Sequence, residues 1–390
     1  LTVRRLLLVG LCVLSAAARA DEADRFFGGT SVDEVRLTLE PAAWDYLRAH
    51  YLEDNWYRAE FEWGGVKLAP IGIRSRGNGS RNPVKPALRL DFNRYRDQRF
   101  LGLRALILNN MVQDPAMLRT HLAMALYRRL GLAASRTRYV RLVVNGRAAG
   151  LYIAVEEVGK DFLERHFGEQ AGDLFDYSWA GEWNWGLLPP GGSSLVPYPF
   201  QPKTHETNPN VAQLERLVTA INQGTELDSA ARELIDMRGW LRYLATEWYL
   251  AETDGFVGNG GTNNFYLYRQ AYLGRWVLIP WDRESTFSLL ECPLGWRYER
   301  NEFTRRMQAS PDLWQSYRSA VGEVLAAATG WLADEAEFVW NQIERDAVED
   351  KQKPYRVEEM QYSVSVVKWF VRERPVFVRQ VLGEPPPALY

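Results

Sequence analysis

The period of the apolar residues changes partway along this chain, and that change limits the folds open to it more than any other feature. From residue 35 to about residue 157 the pattern is two-residue alternation, as in Arg58-Ala59-Glu60-Phe61-Glu62-Trp63 and Ala87-Leu88-Arg89-Leu90-Asp91-Phe92, which marks strands with one buried face. Gly64-Gly65 predicts a turn into Val66-Lys67-Leu68, and Asn145-Gly146, between residues 139–144 and 149–155, is the strongest hairpin signal present. One helix is expected here with Asp114 as N-cap, Pro115 as its first residue, an apolar stripe through Leu118, Leu122, Ala125, Leu126 and Leu130, and a stop at Gly131. A shorter one covers 161–167 and ends at Gly168.

Residues 178–203 hold five prolines, four glycines and the aromatics Trp179, Trp183, Trp185, Tyr198 and Phe200, so they read as a linker or shaped loop. Beyond them the period becomes helical over 211–222, 227–253, 311–346 and 357–382, with one hairpin pairing 264–268 with 276–280. The expected organisation is α+β: a strand-rich lobe (21–177), an interlobe segment (178–203) and a helix-rich lobe (204–390), with a cleft between the lobes.

Residues 1–20 stand apart from the fold. Arg4-Arg5, the apolar run from Leu6 to Leu14 and Ala18-Arg19-Ala20 before Asp21 have the layout of an export signal. The run is too short to span a bilayer. The expectation is a secreted or periplasmic protein with no membrane association after cleavage. Cleavage also removes Cys12, and the remaining Cys292 has no internal disulfide partner. A formal charge of −2 gives no reason to expect nucleic acid as a partner. The histidines are His50, His121, His166 and His205, and the partial zincin match at His205-Glu206 lacks its second histidine.

Chemistry concentrates in two stretches. In the first, residues 252–268, a helix ends in Glu252-Thr253-Asp254, a glycine-rich loop follows, and Asn263-Asn264 lead into an apolar strand whose hairpin returns to Asp282-Arg283-Glu284. Asn264 and Asp282 then lie at the ends of paired strands. Hard oxygen ligands of this kind suit magnesium or manganese, and Asp254 remains free to accept a hydroxyl proton, the division of labour that phosphoryl transfer needs. In the second, Arg74-Ser75-Arg76-Gly77-Asn78-Gly79-Ser80 precedes Lys85 and Arg89, and a glycine loop flanked by cations can cradle phosphate oxygens. Glu156 is a candidate partner for Lys85, with Glu157 on the other face of its strand. The competing reading makes all of these ordinary turn and surface residues.

Taken in order, these residues resemble the CotH kinase family of secreted, atypical protein kinases first associated with spore coats. The resemblance rests on Arg76-Gly77-Asn78, Lys85 with Arg89-Leu90 and Phe92, Asp114 with Leu118-Arg119, Val144-Asn145-Gly146 with Glu156, Asp161-Phe162-Leu163, Lys203, the run Asn263 to Tyr268, and Ile279-Pro280-Trp281-Asp282. It implies a two-lobed, atypical protein-kinase-like fold that uses ATP with Mg2+ or Mn2+ and transfers the γ-phosphoryl group to a Ser/Thr hydroxyl of a protein substrate. By position, Asp254 is the implied catalytic base and Asp282 the main metal ligand, with Asn264 and Glu284 on the metal side. Arg76, Lys85, Arg89, Glu156 and Lys203 are the implied nucleotide-side residues. The chain departs from the family at Glu284, Glu252 and Gly159, where aspartate, asparagine and aspartate are common. An inactive kinase-like module gripping a glycan or protein through its tryptophan-rich loop is the alternative. A glycoside hydrolase using Asp254, Asp282 and Glu284 is a more distant one.

Overall fold

The strands of the first half close on themselves. In the computed structural model, which describes residues 21–181, 183–188 and 194–383, β1 (Asp33–Thr38), β2 (Tyr57–Trp63), β3 (Val66–Ser75), β4 (Leu88–Asp91), β5 (Ala105–Asn109), β6 (Thr137–Val144) and β7 (Arg147–Glu156) form a barrel in the order β1-β2-β3-β4-β5-β7-β6. The expected export signal and the proline-rich tail lie outside the described residues. Parallel pairing of β1 with β6, Asp33 opposite Val140, closes the barrel, and the other pairs are antiparallel. The Asn145-Gly146 turn has φ of 50° and 74°, the left-handed pair that a two-residue hairpin requires.

Alternation explains how the barrel joins the remainder. Val35, Phe61, Ile73, Leu90, Leu106, Leu108, Tyr152 and Ala154 fill its interior. Their neighbours Ile107, Leu151, Ile153 and Val155 point outward into the core of the helical half. Strands β5 and β7 are therefore buried on both faces, and one wall serves two cores.

Four short or medium helices accompany the barrel: α1 (Asp24–Phe27), α2 (Pro41–Ala49), α3 (Arg119–Arg129) and α4 (Lys160–Phe167). Helix α3 starts later than the sequence signal suggests. The Asp114 carboxylate accepts from the N–H groups of Ala116 (3.1 Å) and Arg119 (2.9 Å), and Met117 has a φ of 56°. Asp114 thus closes a turn ahead of the helix instead of capping it, because a left-handed residue cannot continue an α-helix.

A second sheet, ordered β11-β10-β8-β9, is built from β8 (Asp173–Tyr177), β9 (Phe200–Pro202), β10 (Phe265–Arg269) and β11 (Trp276–Pro280). Strand β8, at the end of the expected strand-rich lobe, pairs with β10 of the later hairpin, Asp176 opposite Tyr266. Trp185 is fully buried against Phe200, Trp240 and Phe256, so the aromatic segment is fastened to the helical half. That half comprises α5 (Val211–Ile221), α6 (Ser229–Leu234), α7 (Met237–Tyr249), α8 (Glu302–Ala309), α9 (Pro311–Ala328), α10 (Trp331–Glu349) and α11 (Val357–Leu382). Two long expected helices are each divided. Asp236 accepts from Gly239 N–H and starts α7 anew, and Gly330, with φ of 75°, separates α9 from α10. None of the described helices is long and apolar enough to cross a membrane.

Candidate functional site

Helix α7 ends at Tyr249, and the loop after it carries Asp254. Both oxygens of this carboxylate accept from Asn263 Nδ2 at 3.2 Å, and Asn264 Nδ2 donates to Oδ2 and to the Asp254 carbonyl, both at 2.9 Å. The two asparagines of the sequence motif thus fix the orientation of the carboxylate. Asn264 adopts φ of 57° and its carbonyl accepts from Trp281 N–H at 3.3 Å, so Asn264 and Asp282 meet at the open end of the β10–β11 hairpin.

Asp282 keeps a face open to solvent although protein surrounds it on its other sides. It lies near enough to Asp254 to feel its charge, at the open end of the β10–β11 hairpin. The surrounding protein raises its carboxyl above the usual range; Asp254 pushes the same way, and Arg76 and Arg283 oppose them. No hydrogen bond or ion pair within the described residues closes on the Asp282 side chain. Glu284 differs. It is buried, accepts from Asn109 Nδ2 at 2.8 Å, and is held well above the carboxylate range by burial, reinforced by Asp282 and Asp114. Its position is beneath Asp282, tied to the end of β5.

Cations approach from the barrel. Arg76, just beyond β3, stacks over the Trp281 ring at 5.0 Å. On β4, Arg89 forms a two-pronged pair with Glu157 (2.5 and 3.0 Å) and a third contact with Asp91 at 3.0 Å. Burial alone would lower its pKa, but Glu157 and Asp91 outweigh that and raise it. Lys203, just after β9, lies 3.3 Å from Asp176 of β8. Burial raises the Asp176 carboxyl, while Lys203 and Arg76 pull it back. The phenol of Tyr266, raised by burial, feels Asp176, Arg76, Glu157 and Arg89 together, so these charges share one neighbourhood.

Lys85 and Glu156 are placed otherwise than expected. Lys85 is fully buried, its Nζ 2.7 Å from Asp350 Oδ2 and 5.2 Å from the Tyr152 ring. Asp350 also accepts from Leu151 N–H. Glu156 pairs with Arg136 (2.8 Å) and Arg165 (2.5 Å) and is 1% exposed. The expected Lys85–Glu156 pair is absent. The pair on the site side is instead Arg89 with Glu157, four residues beyond Lys85 and one beyond Glu156.

The donor set fits a hard divalent cation. An unpaired Asp282 carboxylate lies beside the Asp254 carboxylate, and the Oδ1 of Asn264 accepts from no described residue. Among the described residues no cluster of three or more His, Cys, Asp or Glu side chains has metal-holding geometry. A metal on Asp282 and Asn264 would complete its shell with water and phosphate oxygens, the habit of magnesium.

Three supporting residues escaped the sequence reading. Arg283 is fully buried between Glu247 (2.9 Å) and Glu252 (3.6 Å) and donates to the Tyr243 hydroxyl. Glu247 accepts from Phe256 N–H and Glu252 from Asp254 N–H at 2.8 Å. Arg283 therefore ties the loop bearing Asp254 to the segment bearing Asp282. Burial pushes Glu252 up to about 7 against the pull of Arg283. Its place next to Asp282 was the available signal. Glu157 and Asp176, the other two, were visible only as alternating strand positions.

Two of the solved structures that the chain resembles are loose likenesses. The Helicobacter pylori proinflammatory kinase CtkA is 10% identical, with 79% of this chain and 94% of that chain covered at a TM-score of 0.35. A chain of the Shewanella oneidensis MR-1 HipA–HipB toxin–antitoxin complex with its operator DNA is 13% identical, with 87% and 80% covered at a TM-score of 0.35. In sequence, the inner spore coat protein H of Bacillus subtilis (strain 168) is 26% identical over 226 residues. That alignment spans 57% of this chain and 60% of the relative's length. Residues 73–378 match the CotH kinase protein family, a span that includes every site residue described above, and the chain belongs to that family.

Proposed function

We propose that this protein transfers the γ-phosphoryl group of ATP, bound with Mg2+ or Mn2+, to a Ser or Thr hydroxyl of a protein substrate outside the cytoplasm. The observation that carries the reading is the meeting of Asp254 and Asp282 at one cleft: the first fixed by two asparagine amides, the second left unpaired. Asp254 accepts the proton of the acceptor hydroxyl. Asp282, with Asn264, holds the metal, which when bound neutralises phosphate charge. Arg76 and Arg89 supply fixed positive charge from the barrel side, Glu157 and Asp91 hold Arg89 in place, and Lys203 with Asp176 marks the edge. Glu284 is buried near Asp282 and held by the Asn109 amide, so it adds negative charge behind the metal side and offers the metal no open ligand.

The test is incorporation of labelled phosphate from ATP into protein, by the wild type and two variants. Asp254→Asn is expected to lose roughly 10²–10⁴-fold in rate, the usual contribution of a positioned general base. Asp282→Ala is expected to lose metal-dependent nucleotide binding and activity together. Equal incorporation by all three proteins refutes the assignment.

A further inference from the structure

The loop that carries Asp254 also forms the floor of a cavity of about 480 Å³, whose lining includes Val257, Gly258, Asn259, Gly261, Arg297 and Arg300. Its connection to Asp254 is direct. Asn259 N–H donates to the Thr253 carbonyl at 2.7 Å, and a Cβ added to Gly258 would stand 3.2 Å from the Asp254 Cα. The cavity therefore opens within a few residues of the group assigned to the acceptor hydroxyl. None of its lining residues belongs to the nucleotide-side set.

Its charge is positive. Arg297 donates from Nη1 to the Asn259 carbonyl at 2.7 Å, its guanidinium lies 4.9 Å from the Trp296 ring centre, and no carboxylate among the described residues pairs with it. Its backbone has a φ of 61°, a left-handed conformation that a residue with a side chain adopts at a cost. Among the described residues Arg300 pairs only with Glu299, at 3.8 Å, with both side chains more than 60% exposed, an arrangement that holds an arginine weakly. At the edge, Trp179 donates from Nε1 to the Gly260 carbonyl at 2.8 Å while its ring is 54% exposed. Two under-used guanidinium groups and an open indole face suit a carboxylate on an extended peptide.

We infer that this cavity binds an acidic side chain of the acceptor protein, a few residues from the hydroxyl that is phosphorylated. The inference rests on the phosphotransfer reading for its purpose, but the binding it predicts needs no nucleotide. The test uses three fluorescent serine peptides that differ only in carrying Glu, Gln or Lys at the flanking positions, titrated with the full chain and followed by anisotropy. The wild type is expected to bind the Glu peptide about tenfold more tightly than the others, worth about 1.4 kcal/mol. Arg300→Glu, at an exposed position that leaves folding intact, is expected to reverse the order of the Glu and Lys peptides. Arg297→Gln is expected to bring the Glu and Gln peptides together. Asp282→Ala is expected to keep the Glu preference. Equal binding of the three peptides, or a preference unchanged in Arg300→Glu, overturns the inference. A Glu preference with no phosphate incorporated into any peptide supports the cavity assignment and overturns the phosphotransfer reading alone.

Discussion

The barrel meets the helical half at two charged regions that use similar residues to opposite ends. In one, Lys85 and Asp350 are both 0% exposed; further along β7, Glu156 is likewise taken up, by Arg136 and Arg165. In the other, Arg89 and Glu157 remain 22% and 26% exposed, and among the described residues no side-chain hydrogen bond or ion pair closes on Arg76 or Asp282. The first region is a fastening. The Lys85 and Asp350 charges match each other with water excluded, so removing one member leaves a bare charge in a low-dielectric surrounding. The second keeps donors and an acceptor in reserve, as the proposed site for phosphate and metal requires. Glu156 and Glu157 are adjacent in sequence, yet β7 and its exit send them to different regions. Which role a charged residue takes here depends on the side of the strand it leaves from.

The sharpest way to break this comparison is Lys85→Met. Asp350 would then stay buried without its cation, and a loss of about 3–5 kcal/mol in unfolding free energy is expected, read from urea denaturation. At temperatures where the variant is folded, its affinity for nucleotide should be close to that of the wild type. Loss of affinity with stability intact would reassign Lys85 to the phosphates.

Between the two regions lies the Arg283–Glu247–Glu252 cluster. The Glu252 carboxyl titrates near 4.5 in an unfolded chain but at about 7 in the fold. Between those values the folded protein retains a proton that the unfolded chain has released. Its contribution to stability is complete below about pH 4.5 and is lost as the pH rises through about 7. Glu252→Gln keeps the oxygen that holds Asp254 N–H and removes the titration. The fall in stability between pH 5 and pH 8 should shrink by on the order of 2–3 kcal/mol in the variant. An identical pH dependence in both proteins would place the titration elsewhere.

The smallest expected change sharpens the comparison from the open side. Arg89→Ala removes a half-exposed pair, so stability should fall by about 1 kcal/mol or less, while nucleotide affinity should fall about tenfold as a fixed charge-assisted donor is lost. Calorimetric titration with ATP and thermal denaturation on the same samples separate the two. A large stability loss without an affinity change would make Arg89 a second fastening.

Much of this was legible in the residues themselves. Period-two alternation, Gly64-Gly65 and Asn145-Gly146 located the barrel hairpins, and Asn264 with Asp282 followed from the pairing of β10 with β11. Closure of the barrel was not legible, because the parallel match of β1 with β6 joins strands about a hundred residues apart. The choice between Lys85 and Arg89 was also out of reach, since it turns on Asp350, 265 positions after Lys85. The late start of α3 depended on the left-handed Met117, a residue type that carries no such signal. The role of Arg283 was not legible, because its partners Glu247 and Glu252 lie more than thirty residues earlier, on and just after α7.

The central claim is that Asp282 waits, unpaired, for a metal carried in with nucleotide. Electron paramagnetic resonance of Mn2+ tests it most directly, because the free ion gives a sharp signal that disappears on binding. With ATP present at a level too low to bind the metal on its own, the wild type is expected to remove one equivalent of free Mn2+ and Asp282→Ala almost none, with Lys85→Met behaving as wild type while folded. Equal loss of signal in wild type and Asp282→Ala, or none in either, would contradict the account.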